Sequence, residues 1–110
     1  MARPSKAHRP KRRWIGVELA SHYAERDQVE AKISRLFDAK VRLMDVVPAH
    51  EREGDVGVAI FGVTLAAAPP VREVLAHDEA WASHGMRSLT TSGKIRLVRE
   101  RLGLPRPPRR

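Results

Sequence analysis

From Arg13 to Leu19 the chain alternates, with Ile15, Val17 and Leu19 on one side and Trp14, Gly16 and Glu18 on the other. A period of two predicts a half-buried strand. A different rhythm follows. Asp27 with Glu30 fits a capping box, and Val29, Ile33, Leu36 and Phe37 recur at i, i+4, i+7 and i+8. That spacing predicts an amphipathic helix over about Glu25 to Asp38. Val41 to Val47 is rich in Val, Leu and Met, stops at Pro48 and predicts a second strand, with "AHEREGD" as a polar turn after it. Val56 to Thr64 is apolar on both sides, Val56, Val58 and Ile60 against Ala59, Phe61 and Val63, as a central strand should be. Pro69 and Pro70 suit a helix start, and Val71, Val74 and Leu75 give that helix an apolar stripe before it closes at Gly85. Met86 to Thr90 predicts a fourth strand. Ser92 is placed to cap a last helix in which Ile95, Val98 and Leu102 recur at i, i+3 and i+7, with Gly103 at its C′ position.

The predicted order, β-α-β-β-α-β-α, is that of an α+β domain. It matches the ferredoxin-like split β-α-β arrangement with an additional basic C-terminal helix. Helices on one face leave the other sheet face open unless the last helix or a partner covers it. A chain of 110 residues has room for one such domain. Its predicted limits are 13–103, flanked by basic, Pro-containing tails at 1–12 and 104–110 that lack apolar periodicity and are expected to be disordered until bound. No apolar run approaches the roughly 18–20 residues of a membrane span, and the N-terminal stretch is not a signal peptide, so a cytoplasmic protein is expected. The absence of cysteine excludes a disulfide framework, a thiolate zinc site and a Cys nucleophile.

Charge changes the picture most. The chain carries +8 in total. Residues 1–13 hold six bases and no acid, residues 94–110 hold seven bases against Glu100, and the body between them is mildly acidic. Like charges concentrated at two ends repel one another unless a polyanion neutralises them, which makes nucleic acid the first candidate partner. Solubilising tails are the alternative.

The candidate chemistry is sparse. His8, His22, His50, His77 and His84 are scattered without metal-ligand spacing, and "HEREGD" lacks the second histidine of a zinc-protease motif. Ser88, Thr90, Thr91 and Ser92 form a hydroxyl cluster near Lys94 with no histidine or acid in a nucleophile motif. No catalytic residue and no metal site is predicted. "SGK" lacks the upstream glycine of a phosphate loop, yet Gly93 permits close backbone approach and Lys94 and Arg96 add charge, so Ser92-Gly93-Lys94 is the preferred phosphate contact. A plain N-cap with a packing glycine explains the same residues. The third strand, "VGVAIFGVT", has one aromatic and not the signature of an RNA-recognition motif, so backbone contacts from Arg and Lys should dominate over base stacking. Trp14, beside Arg12 and Arg13, either stacks on a base or covers a helix.

Two stretches resemble a known family. "KRRWIGVELAS" is similar to the opening strand of the small ferredoxin-like subunit of archaeal ribonuclease P, protein component 2. "RSLTTSGKIRLVRERL" is similar to that family's last strand and basic helix, with Lys94 where the family usually has Thr. "VGVAIF" and "VREVLA" fall where the family has its third strand and second helix, so the likeness covers about Lys11 to Leu102. The resemblance implies an RNA-binding, non-catalytic subunit that supports a catalytic RNA in removing 5′ leaders from precursor tRNA. It implies ribonuclease P RNA, precursor tRNA and a TIM-barrel-like protein subunit as partners, often in a dimer of heterodimers that pairs two copies of this chain. It also implies Mg²⁺ on the RNA and no cofactor on the protein. With the charge pattern it nominates Lys11, Arg12, Arg13, Ser92, Gly93, Lys94, Arg96 and Arg99 as RNA contacts. The rival reading is a ferredoxin-like protein-interaction or regulatory domain that assembles through an open sheet face, and an autonomous nuclease is third.

Overall fold

The computed structural model describes residues 11–52 and 54–104. The strands are β1 (Arg12–Leu19), β2 (Arg42–Val47), β3 (Gly57–Thr64) and β4 (Met86–Ser92). The helices are α1 (Arg26–Leu36), α2 (Ala68–Ala76), α3 (Ala80–His84) and α4 (Ile95–Arg101), and a single 3₁₀ turn, Ala49–Glu51, follows β2. The four strands form one antiparallel sheet in the order β2-β3-β1-β4. This is an α+β domain with the two most buried strands in the centre.

Alternation along β1 and β3 divides the core between the two sheet faces. Ile15, Val17 and Leu19 share a cluster with Ala59, Phe61 and Val63, closed by Val29 and Ile33 of α1 and Val71 and Leu75 of α2. On the opposite face Val58 and Ile60 meet Val98 and Leu102, with Trp14, Met44, Val47, Ile95 and Leu104 packed around them. The face that would otherwise lie open is thus covered by α4. Gly16 makes this possible, because a Cβ there would come within 3.1 Å of both Val98 and Leu102. The six-membered ring of Trp14 lies over Gly62 in the same way.

Both edge strands carry a bulge, and both bulges serve α4. In β2 the register steps from Leu43↔Phe61 to Asp45↔Ile60, so one extra residue turns Asp45 away from the face of Leu43 and onto that of Ile60. In β4 the register steps from Ser88↔Val17 to Thr90↔Gly16, which brings Thr90 to the α4 side. There Arg99 of α4 pairs with Asp45, and Arg101 Nη1 donates to Thr90 Oγ1 at 2.8 Å and to the Thr91 carbonyl at 3.3 Å. The carbonyls at the β2 bulge are also satisfied: Arg26 donates to Leu43 O at 2.5 Å and to Met44 O at 3.4 Å.

Several expected boundaries move. The first helix is capped two residues earlier than Asp27: Gln28 Oε1 accepts from the backbone N–H groups of Ala24 and Glu25 at 2.8 and 2.9 Å. The second predicted helix breaks at His77, whose extended backbone separates α2 from α3, and it does not run unbroken to Gly85. Ser92 ends β4 and does not cap a helix. Lys94 occupies the N-cap position of α4, and Ser92 Oγ accepts the Lys94 N–H at 3.1 Å. Gly103 does follow the last helix with φ 73°, the left-handed value that favours glycine after a C-cap. Residues 1–10 and 105–110 of the predicted tails lie outside the described residues. Arg12 belongs to β1, the Lys11 carbonyl accepts from Leu65 N at 2.9 Å, and Leu104 packs under α4, so the fold takes in residues on both sides of 13–103. No helix among the described residues is long and apolar enough to cross a membrane.

Candidate nucleic-acid interface

Strand pairing joins the two basic segments that are far apart in sequence. The start of β1 lies beside the end of β4, with Trp14 opposite Ser92. Arg13 therefore reaches Gly93, where an added Cβ would sit 2.9 Å from its Nη1. Lys11 and Arg12 lead into the same end of the sheet, and Lys94 projects from the turn that leaves it. On the other side of β1, Arg12 pairs with Thr64 of β3 and Arg42 of β2 pairs with Gly62. Arg12, Lys40, Val41, Arg42 and Thr64 line one groove at this end. The result is a cationic rim of Lys11, Arg12, Arg13, Lys40, Arg42 and Lys94. All are exposed except the half-buried Arg13, and none of the six pairs with an acid among the described residues.

The predicted contacts separate into three groups. Lys11, Arg12, Arg13, Gly93 and Lys94 come together at the rim, with Ser92 fixing the turn between Gly93 and Lys94 through its hydroxyl. Arg96, on the first turn of α4, is exposed beside them. Arg99 is held elsewhere: its side chain is 20% exposed and ion-paired with Asp45, whose side chain is 32% exposed, so it fastens α4 to the bulge of β2. Lys40 and Arg42 are two further cations that no motif in the sequence marks. They flank Val41 at the start of a predicted strand, and only the strand order shows that β2 begins at the same end as β1.

Trp14 packs on protein. It is half-buried, lies over Gly62 and borders the cluster under α4. The other tryptophan, Trp81, is at the far end of the sheet, where Arg87 stacks on it at 4.7 Å and donates to Glu18 at 2.5 and 2.9 Å. Comparison with family models, curated proteins and solved structures finds no match for this chain.

The remaining chemistry is thin. A depression between α2 and α3 is lined by Glu73, His77, Glu79 and His84, but no three His, Asp or Glu side chains are grouped to hold a metal ion among the described residues. The hydroxyls of Thr90 and Ser92 are engaged with Arg101 and with the Lys94 N–H, and neither has a histidine as hydrogen-bond partner. The rim can bind and neutralise phosphate.

Proposed function

We propose that this chain is an RNA-binding subunit of a ribonucleoprotein, and that the ribonucleoprotein is ribonuclease P. The observation that carries the RNA-binding role is the convergence of six cations, on and beside β1, β2 and the β4–α4 turn, at one sheet end, none of them ion-paired with an acid among the described residues. Such an array repels itself and gains from a polyanion, and each base that displaces counterions contributes to affinity. The narrower assignment rests on the likeness of "KRRWIGVELAS" and "RSLTTSGKIRLVRERL" to component 2 of the archaeal enzyme. It is supported by the sheet order β2-β3-β1-β4, the order of a ferredoxin-like β-α-β-β-α-β chain. In this role the protein holds the catalytic RNA in its active shape beside the TIM-barrel-like subunit, and the cleavage of precursor tRNA belongs to the RNA and its Mg²⁺.

The test is to recover the tagged protein from its own cells at moderate salt and sequence the RNA that accompanies it. Dominance of ribonuclease P RNA is the expected result. A mixture in proportion to cellular abundance would leave RNA binding standing and remove the ribonuclease P assignment, and recovery without RNA would remove both.

A further inference from the structure

The rim's chemistry narrows the kind of RNA it takes. The whole sequence contains five Trp, Tyr and Phe side chains, two Trp, one Tyr and two Phe, and every one of them has a place in the fold. Tyr23, Phe37 and Phe61 are buried in the core between the sheet and α1 and α2. Trp81 is under Arg87 at the opposite end of the sheet. Trp14 is the one aromatic near the rim, and it is committed to Gly62 and the cluster under α4. Proteins that hold single strands without sequence preference lay successive bases on aromatic faces, each worth about 1–3 kcal/mol. This rim has no such platform.

What it has is charge on a stiff frame. Arg12, Arg13 and Arg42 stand on paired strands, and Lys94 is held at the N-cap by the turn from β4. From β2 to β4 the array crosses three interstrand spacings, roughly 14 Å before side-chain reach is added. Cations at fixed spacing favour phosphates already at fixed spacing, because a flexible strand must lose conformational freedom to present them. A double helix meets that condition, hides its base faces and offers backbone and 2′-hydroxyls by shape. Resting on the RNA-binding role proposed above, we infer that the rim grips the sugar–phosphate backbone of a double-helical RNA segment and does not read its bases.

Three RNAs of equal length test this with the intact protein: a hairpin, a second hairpin with the same stem length and a scrambled stem sequence, and unstructured oligouridine. Affinities are measured between 50 and 200 mM salt. The two hairpins should bind within about threefold of each other and at least tenfold tighter than oligouridine, without quenching tryptophan emission. With six phosphate contacts the hairpin affinity should fall about a thousandfold over that salt range. Lys40→Ala/Arg42→Ala should make this fall shallower by about two contacts. Oligouridine bound as tightly as the hairpins, or with quenching of Trp14, overturns the inference and leaves the RNA-binding role standing. A tenfold difference between the hairpins overturns backbone-only recognition. No binding to any of the three at 50 mM salt overturns the proposed function itself.

Discussion

Arg96 and Arg99 lie almost one turn apart on α4, and their surroundings give them different work. Arg99 is partly buried against Asp45, so its loss leaves a carboxylate without its partner and α4 without a tie to β2. Arg99→Ala should lower stability by about 1 kcal/mol in chemical denaturation, since the pair is neither fully exposed nor fully buried. Arg96 is exposed and close to Lys94. Arg96→Ala should leave the denaturation midpoint in place and weaken hairpin RNA binding up to about tenfold, with a shallower salt dependence. Tyr23 is buried in the core cluster under α1 and α2. Burial raises its pKa above the ordinary tyrosine value, the charge of Arg35 works in the lowering direction, and its hydroxyl donates to the His84 carbonyl at 2.6 Å. A raised folded-state value favours the neutral phenol, so this contribution is intact below the unfolded value near pH 10 and is lost as pH rises through the folded one. Tyr23→Phe should cost about 1 kcal/mol at neutral pH and flatten the alkaline limb of the stability curve above about pH 10.

Among the elements, α4 depends most on its neighbours. Seven residues are too few to form a stable isolated helix, so its order comes from packing on Gly16, Val58 and Ile60 and from the two bulge contacts. Gly16→Val should push α4 off the sheet, because even a Cβ there meets Thr90 at 2.9 Å. The expected result is a loss of about 1–3 kcal/mol and faster hydrogen exchange of the Arg99–Gly103 amides, while those of α1 keep their relative protection. Periodicity exposed β1 because its alternation is unbroken, a run apolar on both faces marked β3, and the i, i+3, i+7 spacing found the apolar stripe of α4. The bulges escaped it. An extra residue in β2 reverses the face of every later side chain, so simple alternation puts Asp45 with Leu43 in the core, where an unpaired carboxylate would be costly. The break at His77 escaped it as well, since Ala80 and Trp81 continue the apolar content of α2 after the backbone has turned.

For the whole molecule the balance of charge matters less than its direction. The strands run between the cationic rim and an opposite end that carries Asp27 near the start of α1, Asp55 before β3, and Asp78 and Glu79 between α2 and β4. Eight residues of β1 separate the two ends by roughly 25 Å, about three Debye lengths at physiological salt. The acidic end therefore does not cancel the rim, and it disfavours contact with a polyanion on that side. Asp55→Lys/Asp78→Lys should change hairpin affinity by less than about threefold at 0.15 M salt, although it raises the net charge by four. Lys40→Glu/Arg42→Glu, with a change of equal size and opposite sign, should lower that affinity by more than tenfold. The two variants can be compared in one anisotropy titration.

By itself the sequence determined the α+β class, the four strands, the amphipathic face of α1, the glycine that ends α4 and the concentration of bases toward the two ends. These are local properties, written in spacing and side-chain type. The tertiary structure decided which bases meet. Antiparallel pairing of β1 with β4 and of β3 with both β1 and β2 brings Lys40 and Arg42 to the side of Arg12, while a bulge takes Arg99 away to Asp45. Strand order and register are long-range choices, made where buried surface and hydrogen bonds balance best over the whole sheet, and no local pattern of residues records them.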